Sequence, residues 1–395
     1  MSIVILGNDF SFPHGDAATN RVHAYAKGYK KNGIEVSIIC FGNEYNANSY
    51  GVVDGIEFYY PFGQRGRSKY FLVRMCHKIA KYAKTFSILL KIDKNDHLRI
   101  IHCYTKSLRI QLFIYVLSKC FKAKVCLERS EHPLRNYNRN ALNRAYGKLR
   151  VKLEIILCDG IFCISNYLMG FYRDMGYRSS KLLLVPSTVD TDRFNDKFDA
   201  PFNFDYILYC GSLTIIKDGV HILIESFARI TKHHKDIKLV LIGEADTLED
   251  DRYFKDLVTT FNISHRVIFT GKLPRTEIPT YMCNAKILAL ARPKSIISDA
   301  GFPSKVTEYL ASGVPAVLTN VGDIPLYLKD GFNAFISDPD SVTGFAEKLD
   351  FVLYNYQQAK KVSARGKELT ETVFNYEFQA KQILAFIDLN LYSGL

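Results

Sequence analysis

Lys305 and Glu308 stand three residues apart inside a segment, residues 300–323, whose residue types could hold an anion. The segment reads as a Gly/Pro loop, Gly301-Phe302-Pro303, a short helix that stops at Gly313, and a buried strand from Pro315 to Thr319. Pro303 suits the first helical turn because it has no N–H to lose there. The first-turn N–H groups of Ser304, Lys305 and Val306 are then free for a ligand, and the helix dipole favours a phosphate. The spacing of three puts Lys305 and Glu308 on one face. That face offers a cation for phosphate and a carboxylate for sugar or ribose hydroxyls, a set that suits a nucleotide-sugar. The same pattern also fits an ordinary loop–helix–strand unit of an α/β domain, so the reading depends on what else converges there.

The elements that position this segment alternate in type along the whole chain. Short apolar runs predict strands at Ile3–Leu6, Glu35–Cys40, Ile100–Cys103, Lys124–Leu127, Gly160–Ile164 and Leu182–Val185. A second series follows at Tyr206–Cys210, Lys238–Ile242, Val267–Thr270, Ile287–Leu290, Pro315–Thr319 and Ala334–Ile336. Helical patterns fill the gaps, for example Thr19–Asn32, Val220–His233 and Val342–Tyr354. Buried strands alternating with helices predict an α/β chain of two doubly wound, Rossmann-like parallel sheets facing a cleft. The pattern restarts near Asp205, which places an N-terminal domain at 1–200, a C-terminal domain at 201–375, and a last helix, 376–395, that packs back across the junction. Loops at strand ends carry suggestive residues: the turn around Gly15, Gly211-Ser212 through Lys217-Asp218-Gly219, Gly243-Glu244, and Ala291-Arg292-Pro293-Lys294. Each alone is a tight turn; three of them converging with Glu308 point to a ligand site.

At 395 residues, 48% hydrophobic, with 27 Phe and 25 Tyr, the chain can bury two large cores. No apolar run reaches the roughly 18–20 residues of a spanning helix. The N-terminal apolar run is short and reads as a first strand, not a signal peptide. The nine Cys never form Cys-x-x-Cys and read as reduced thiols of a cytosolic protein. Net charge is +12, but residues 1–195 hold 30 Lys/Arg against 15 Asp/Glu, while the remainder holds 22 against 25. The N-terminal half therefore meets something anionic. Residues 64–94 hold nine Lys/Arg and one acid, Asp93, with Phe71, Leu72, Met75, Ile79, Tyr82 and Phe86 at helical spacing. Aromatics among basic residues suit nucleic acid as well as a membrane, but no nucleic-acid motif is present. The expected anionic partner is a membrane surface.

The chain resembles retaining glycosyltransferases of the GT-B fold, glycosyltransferase family 4, in a branch with a Pro-Ser-Lys loop. Leu183 to Phe194 resembles the family's interdomain segment, and Leu208 to Val220 its diphosphate-binding loop. Gly301-Phe302-Pro303 through Glu308 resembles its Glu-x7-Glu signature, and Asp330 to Phe335 a later Asp-Gly-x-Asn turn. The resemblance implies that Lys217 neutralises the donor diphosphate and Glu308 binds the ribose. It implies that the loop and first turn formed by Gly301, Phe302, Pro303, Ser304, Lys305 and Val306 hold the distal phosphate and sugar through the backbone N–H groups around Phe302–Val306, Pro303 having none. Gly15 approaches that phosphate, with Gly211 and Ser212 in the diphosphate loop, while Gly243 and Leu273 border the base. On the acceptor side it leaves Glu128, Arg129 and His132 as alternatives.

Two positions depart from the family pattern. The first Glu of Glu-x7-Glu falls at Ala300, and the usual Arg of the diphosphate loop falls at Ser212. Arg292, Lys294 or Lys305 can supply the missing charge. The resemblance implies transfer of a sugar from a nucleotide-diphosphate donor to a glycan or lipid-linked acceptor with retention, in cell-surface polysaccharide synthesis. It implies no metal and no cofactor, and a cytoplasmic enzyme peripherally bound to the inner face of the plasma membrane. The alternatives are a GT-B nucleotide-sugar epimerase and an inactive relative that acts as a binding protein.

Overall fold

A computed structural model describes residues 1–42, 49–63, 68–134 and 141–392. The chain forms two compact units, Met1–Pro186 with Tyr376–Leu395, and Ser187–Asn375. The first unit thus ends ahead of the boundary expected after residue 200. The reason is local: the Val189 N–H donates to the Phe374 carbonyl (3.0 Å), and Ser187 Oγ donates to that of Phe302 (2.9 Å).

The first unit contains β1 (Ser2–Gly7), β2 (Glu35–Cys40), β3 (Tyr50–Val53), β4 (Ile56–Tyr59), β5 (Leu98–Tyr104), β6 (Lys124–Arg129), β7 (Gly160–Cys163) and β8 (Leu182–Leu184). They form one sheet in the order β3-β4-β2-β1-β5-β6-β7-β8, parallel except for β3 against β4. Strand order reverses between β1 and β5, so their carboxyl ends border a crevice. The β3–β4 hairpin was not among the expected strands. Its turn is Asp54-Gly55, both left-handed (φ 51° and 69°), the two-residue connection that matches strand twist.

Helix Tyr376–Ile387 belongs to the first unit and packs along helix Ala17–Lys31. Ala380, Ile383, Phe386 and Ile387 join a core with Tyr25, Tyr29 and Phe162. Close approach depends on Gly28, where a Cβ would lie 2.6 Å from the Tyr376 carbonyl oxygen and 2.7 Å from Ala380 Cβ.

Helix Phe71–Asn95 covers most of the basic amphipathic stretch; Arg65 and Arg67 lie outside the described residues. Its packed stripe is Lys81, Thr85, Leu89 and Ile92, while Phe71, Leu72, Met75, Ile79 and Phe86 are exposed. Lys81 is therefore not a surface cation. Its Nζ donates to the Phe41 carbonyl (3.1 Å) and sits 4.1 Å from the Phe41 ring centroid. Burial lowers its pKa to about 8. Among the described residues no helix is long and apolar enough to cross a membrane.

The second unit contains β9 (Tyr206–Cys210), β10 (Lys238–Ile242), β11 (Val267–Gly271), β12 (Ile287–Leu290), β13 (Ala316–Thr319) and β14 (Phe335–Ser337). All are parallel, in the order β11-β10-β9-β12-β13-β14. The order reverses between β9 and β12, so a second crevice opens at their carboxyl ends.

Gly28→Val should lower stability by roughly 1–3 kcal/mol, because overpacking pushes the two helices apart. Gly170→Ala, where a Cβ meets nothing within 4 Å, should instead be neutral or stabilising by up to ~1 kcal/mol. Urea denaturation compares the two, and equal midpoints would contradict the packing argument.

Candidate functional site

The second unit's polar groups gather at the β9–β12 crevice. Helix Ser304–Ser312 opens after Pro303, whose backbone is extended (φ −71°, ψ 123°) and not helical. Pro303 is thus the cap, one residue before the position expected for it, and Ser304 and Lys305 supply the first helical N–H groups. The helix ends at Gly313 in the left-handed region (φ 73°). Val306 is fully buried and anchors the first turn, and Phe302 packs edge-on against the Tyr327 ring at 5.5 Å.

Lys305 and Glu308 do share one face of this helix, both half-buried, and each has a partner that sequence reasoning missed. Lys305 Nζ pairs with Asp218 Oδ2 at 2.9 Å. Glu308 Oε1 pairs with Arg193 Nη1 at 2.7 Å, and Arg193 Nη2 donates to the Arg275 carbonyl at 3.3 Å. Asp218 is 2% exposed, and Tyr209 Oη lies 3.0 Å from its Oδ2 and 2.6 Å from the Ser212 carbonyl oxygen. Burial alone would raise the Asp218 pKa, but the Lys305 ammonium, then Arg292 and Lys217, outweigh it and hold the carboxyl below its ordinary range. The Cys210 thiol, at the end of β9, is pushed up to about 12 by burial and then by Glu308. Glu308, Lys305, Arg193 and Asp218 thus surround one strand end.

The loops close over this point through glycines. Gly211 has φ +148°, and a Cβ there would lie 1.9 Å from Lys305 Cε. Gly243 has φ +133°, and a Cβ would lie 2.0 Å from the Gly211 carbonyl oxygen. Only glycine allows both the conformation and the approach. Ser212 and Lys217 are exposed beside them, whereas Leu273 is half-buried after β11. Of the three cations expected to replace the Ser212 charge, Lys305 is the one against Gly211. Lys294 pairs with Asp299 at 2.8 Å, and Arg292 is buried, with Nη2 donating to the Ile297 carbonyl at 3.3 Å. Ala300 is buried at 1% exposure and presents no side chain to a sugar.

In the first unit a cavity of about 270 Å³ opens at the carboxyl ends of β1, β5 and β6, lined by Asp9, Lys106, Glu128, Arg129, His132 and Arg150 among others. Gly15 is exposed just before the cap, Asp16, of helix Ala17–Lys31. The three acceptor-side alternatives now separate. Glu128 is 3% exposed; Oε1 accepts from Arg21 Nε (2.9 Å) and Oε2 from Tyr25 Oη (2.9 Å). Burial raises its pKa, but Arg21 outweighs this and the net shift is downward. Arg129 pairs with Glu154 at 2.9 Å and is also buried. Both are core ion-pair groups, so Glu128 does not offer a free carboxylate to a substrate. His132 is half-buried beside Phe171 (5.0 Å), and burial lowers its pKa, so the ring is neutral near pH 7. Its Nδ1 accepts from the Leu134 N–H at 3.1 Å, which leaves the proton on Nε2 as a donor.

Asp218→Asn should cost on the order of 3 kcal/mol at pH 7, because Lys305 loses its buried counter-charge. A depressed carboxyl pKa contributes stability above the unfolded value near ~4, and that contribution is lost as pH falls through the folded value. The gap between wild type and variant should therefore shrink from pH 7 to pH 3 in denaturant titrations. A gap that is constant with pH would refute the ion-pair account.

Residues 190–369 match the family described as Glycosyl transferases group 1. The uncharacterized glycosyltransferase YqgM of Bacillus subtilis is 23% identical over 62% of this chain and 62% of its own length. The capsular polysaccharide biosynthesis glycosyltransferase CapM of Staphylococcus aureus is 24% identical over 52% of this chain and 51% of its own. The chain spans between 43% and 62% of the first curated relatives it matches. Among solved structures, sucrose-phosphate synthase from Thermosynechococcus elongatus superposes with a TM-score of 0.74 at 15% identity, covering 98% of both chains. HepE of Anabaena in complex with UDP-glucose gives 0.66 at 14% identity, covering 98% of this chain and 99% of that one. The fold is GT-B, and residues 190–369 are similar to the glycosyl transferases group 1 family.

Proposed function

We propose that this chain transfers a glycosyl group from a nucleoside-diphosphate sugar to a hydroxyl of a glycan or lipid-linked acceptor, with retention of configuration. The observation that carries the reading is the cluster at the end of β9. Lys305, Lys217 and the N–H groups of helix Ser304–Ser312 form a cationic cradle, with the Glu308 carboxylate one turn along. HepE, of the same fold, was solved with UDP-glucose, and CapM is named for capsular polysaccharide synthesis; both favour a sugar-nucleotide donor and a polysaccharide role.

The chemistry follows from the charges. As the glycosidic bond to the diphosphate breaks, negative charge builds on the leaving phosphate and positive charge on the sugar carbon. A preorganised ammonium and helix N-terminus stabilise the leaving group without reorganising at the moment of reaction. Glu308 accepts from ribose hydroxyls and fixes the nucleotide. With Ala300 in place of a carboxylate, the sugar is recognised by backbone N–H groups around Gly301–Ser304. In a front-face course the departing phosphate takes the acceptor proton, and the neutral His132 donates from Nε2 to an acceptor oxygen. The basic first unit, exposing Lys78 and Lys84, brings this chemistry to the cytoplasmic face of an anionic membrane.

Thermal-shift titration with UDP-, GDP-, ADP- and dTDP-sugars should identify one stabilising donor. With that donor, Glu308→Ala and Lys217→Ala should each lower turnover ~30- to 1,000-fold, the loss of one charge-assisted transition-state contact. Turnover should survive EDTA. Wild-type rates in both variants would sink the donor-site reading, and loss with EDTA restored by Mn²⁺ or Mg²⁺ would sink the metal-free one.

A further inference from the structure

Helix Ala141–Ile156 carries a feature that neither the donor site nor the acceptor cavity uses. Leu142, Tyr146, Leu149, Leu153 and Ile156 are 82%, 58%, 56%, 40% and 68% exposed. Their spacing of four and three residues lines them along one stripe of the helix. The packed side is Gly147, Val151 and Glu154. Arg144, Lys148 and Lys152 are all exposed; at 3.6 residues per turn Lys152 lies about 80° and Lys148 about 120° from the middle of the stripe, whereas Arg144 lies about 160° away, on the far side of the helix. The single acid of the helix, Glu154, is buried between Arg129 (2.9 Å) and Arg150 (2.8 Å). The neighbouring helix, Leu108–Cys120, continues the surface with exposed Arg109, Leu112, Val116 and Lys119 and has no acid.

We propose that helix Ala141–Ile156 lies in the interface of an anionic bilayer, with Leu142, Tyr146, Leu149, Leu153 and Ile156 among the acyl chains and Lys148 and Lys152 at the headgroups. An apolar arc bordered by cations and free of exposed acids fits that surface. A second copy of the chain fits it poorly, because a two-fold contact brings each patch against itself and would set basic stripe against basic stripe. The same helix turns Arg150 into the wall of the acceptor cavity. The cavity therefore opens within about 10–12 Å, one helix diameter, of the bilayer-facing stripe. This placement rests on the membrane reading above and names the acceptor as an amphiphile presented from that bilayer.

The chain has no Trp, so Leu149→Trp gives a fluorescence signal from this helix alone. Its emission should shift to the blue on adding phosphatidylcholine vesicles containing phosphatidylglycerol, and stay unchanged with phosphatidylcholine alone. The double change Lys148→Glu, Lys152→Glu should weaken binding to the anionic vesicles roughly 25-fold, about fivefold for each lost cation. Its circular dichroism and donor-induced thermal shift should remain those of the wild type. Unshifted emission while the protein still sediments with anionic vesicles would overturn this helix assignment and leave membrane binding through another surface. Absence of sedimentation by the wild type would overturn the membrane reading itself. A blue shift without vesicles that grows with protein concentration would identify a second copy as the occupant and also overturn the proposal.

Discussion

The second unit's site depends on one ion pair, Lys305 with Asp218. A carboxylate that is 2% exposed is costly unless cations surround it, and Asp218 has three acting on it. The pair ties the loop after β9 to the first turn of helix Ser304–Ser312. It also explains why residue 211 is glycine: the Lys305 stem runs through the space a side chain would fill. A cation held this way is already desolvated and already oriented. An anion that reached it would meet a fixed field and would not have to order a flexible lysine.

The first unit uses the same kind of chemistry for a different purpose. Glu128 gathers Arg21, Tyr25 and His102 in its interior, and Arg21 also donates to the carbonyls of Val185 (2.7 Å) and Pro186 (2.8 Å). One carboxylate thereby ties β6, helix Ala17–Lys31 and the chain leaving β8 into one body. Arg129 does likewise through Glu154, Tyr172 and Thr105. These adjacent charged residues reach the cavity wall with their charges already paired, and His132, four residues beyond Glu128, lines the same cavity.

The parallel strands were legible because each is a short apolar run bounded by polar turns, and β2, β9, β10 and β12 lie where their runs predict. The β3–β4 hairpin was not, although Asp54-Gly55 is a turn signal, because Tyr50–Val53 is half-exposed and weakly apolar. Lys305 and Glu308 were legible from spacing, but their partners were not: Asp218 and Arg193 are distant in sequence, and only the folded chain brings them in. Lys81 misled because a lysine in a basic run looks solvated, while its position on the 81, 85, 89, 92 stripe turns it inward. The apolar stripe on helix Ala141–Ile156 has the period of a core-facing face, so the sequence alone does not reveal that it points outward.

Helix Tyr376–Ile387 sets an order on how the protein is made. The first unit's core includes Ala380, Ile383, Phe386 and Ile387, so that unit is incomplete while the intervening 187–375 are being synthesised. The second unit is one continuous segment and has all its strands before the first receives its final helix. Domains that emerge early from a ribosome generally fold early. Here the unit that starts first finishes last, and during that interval Tyr25, Tyr29 and Phe162 lack the cover of the closing helix. The nascent chain thus carries an open apolar groove with a defined lifetime, set by the translation of the second unit and not by the first unit's own folding rate.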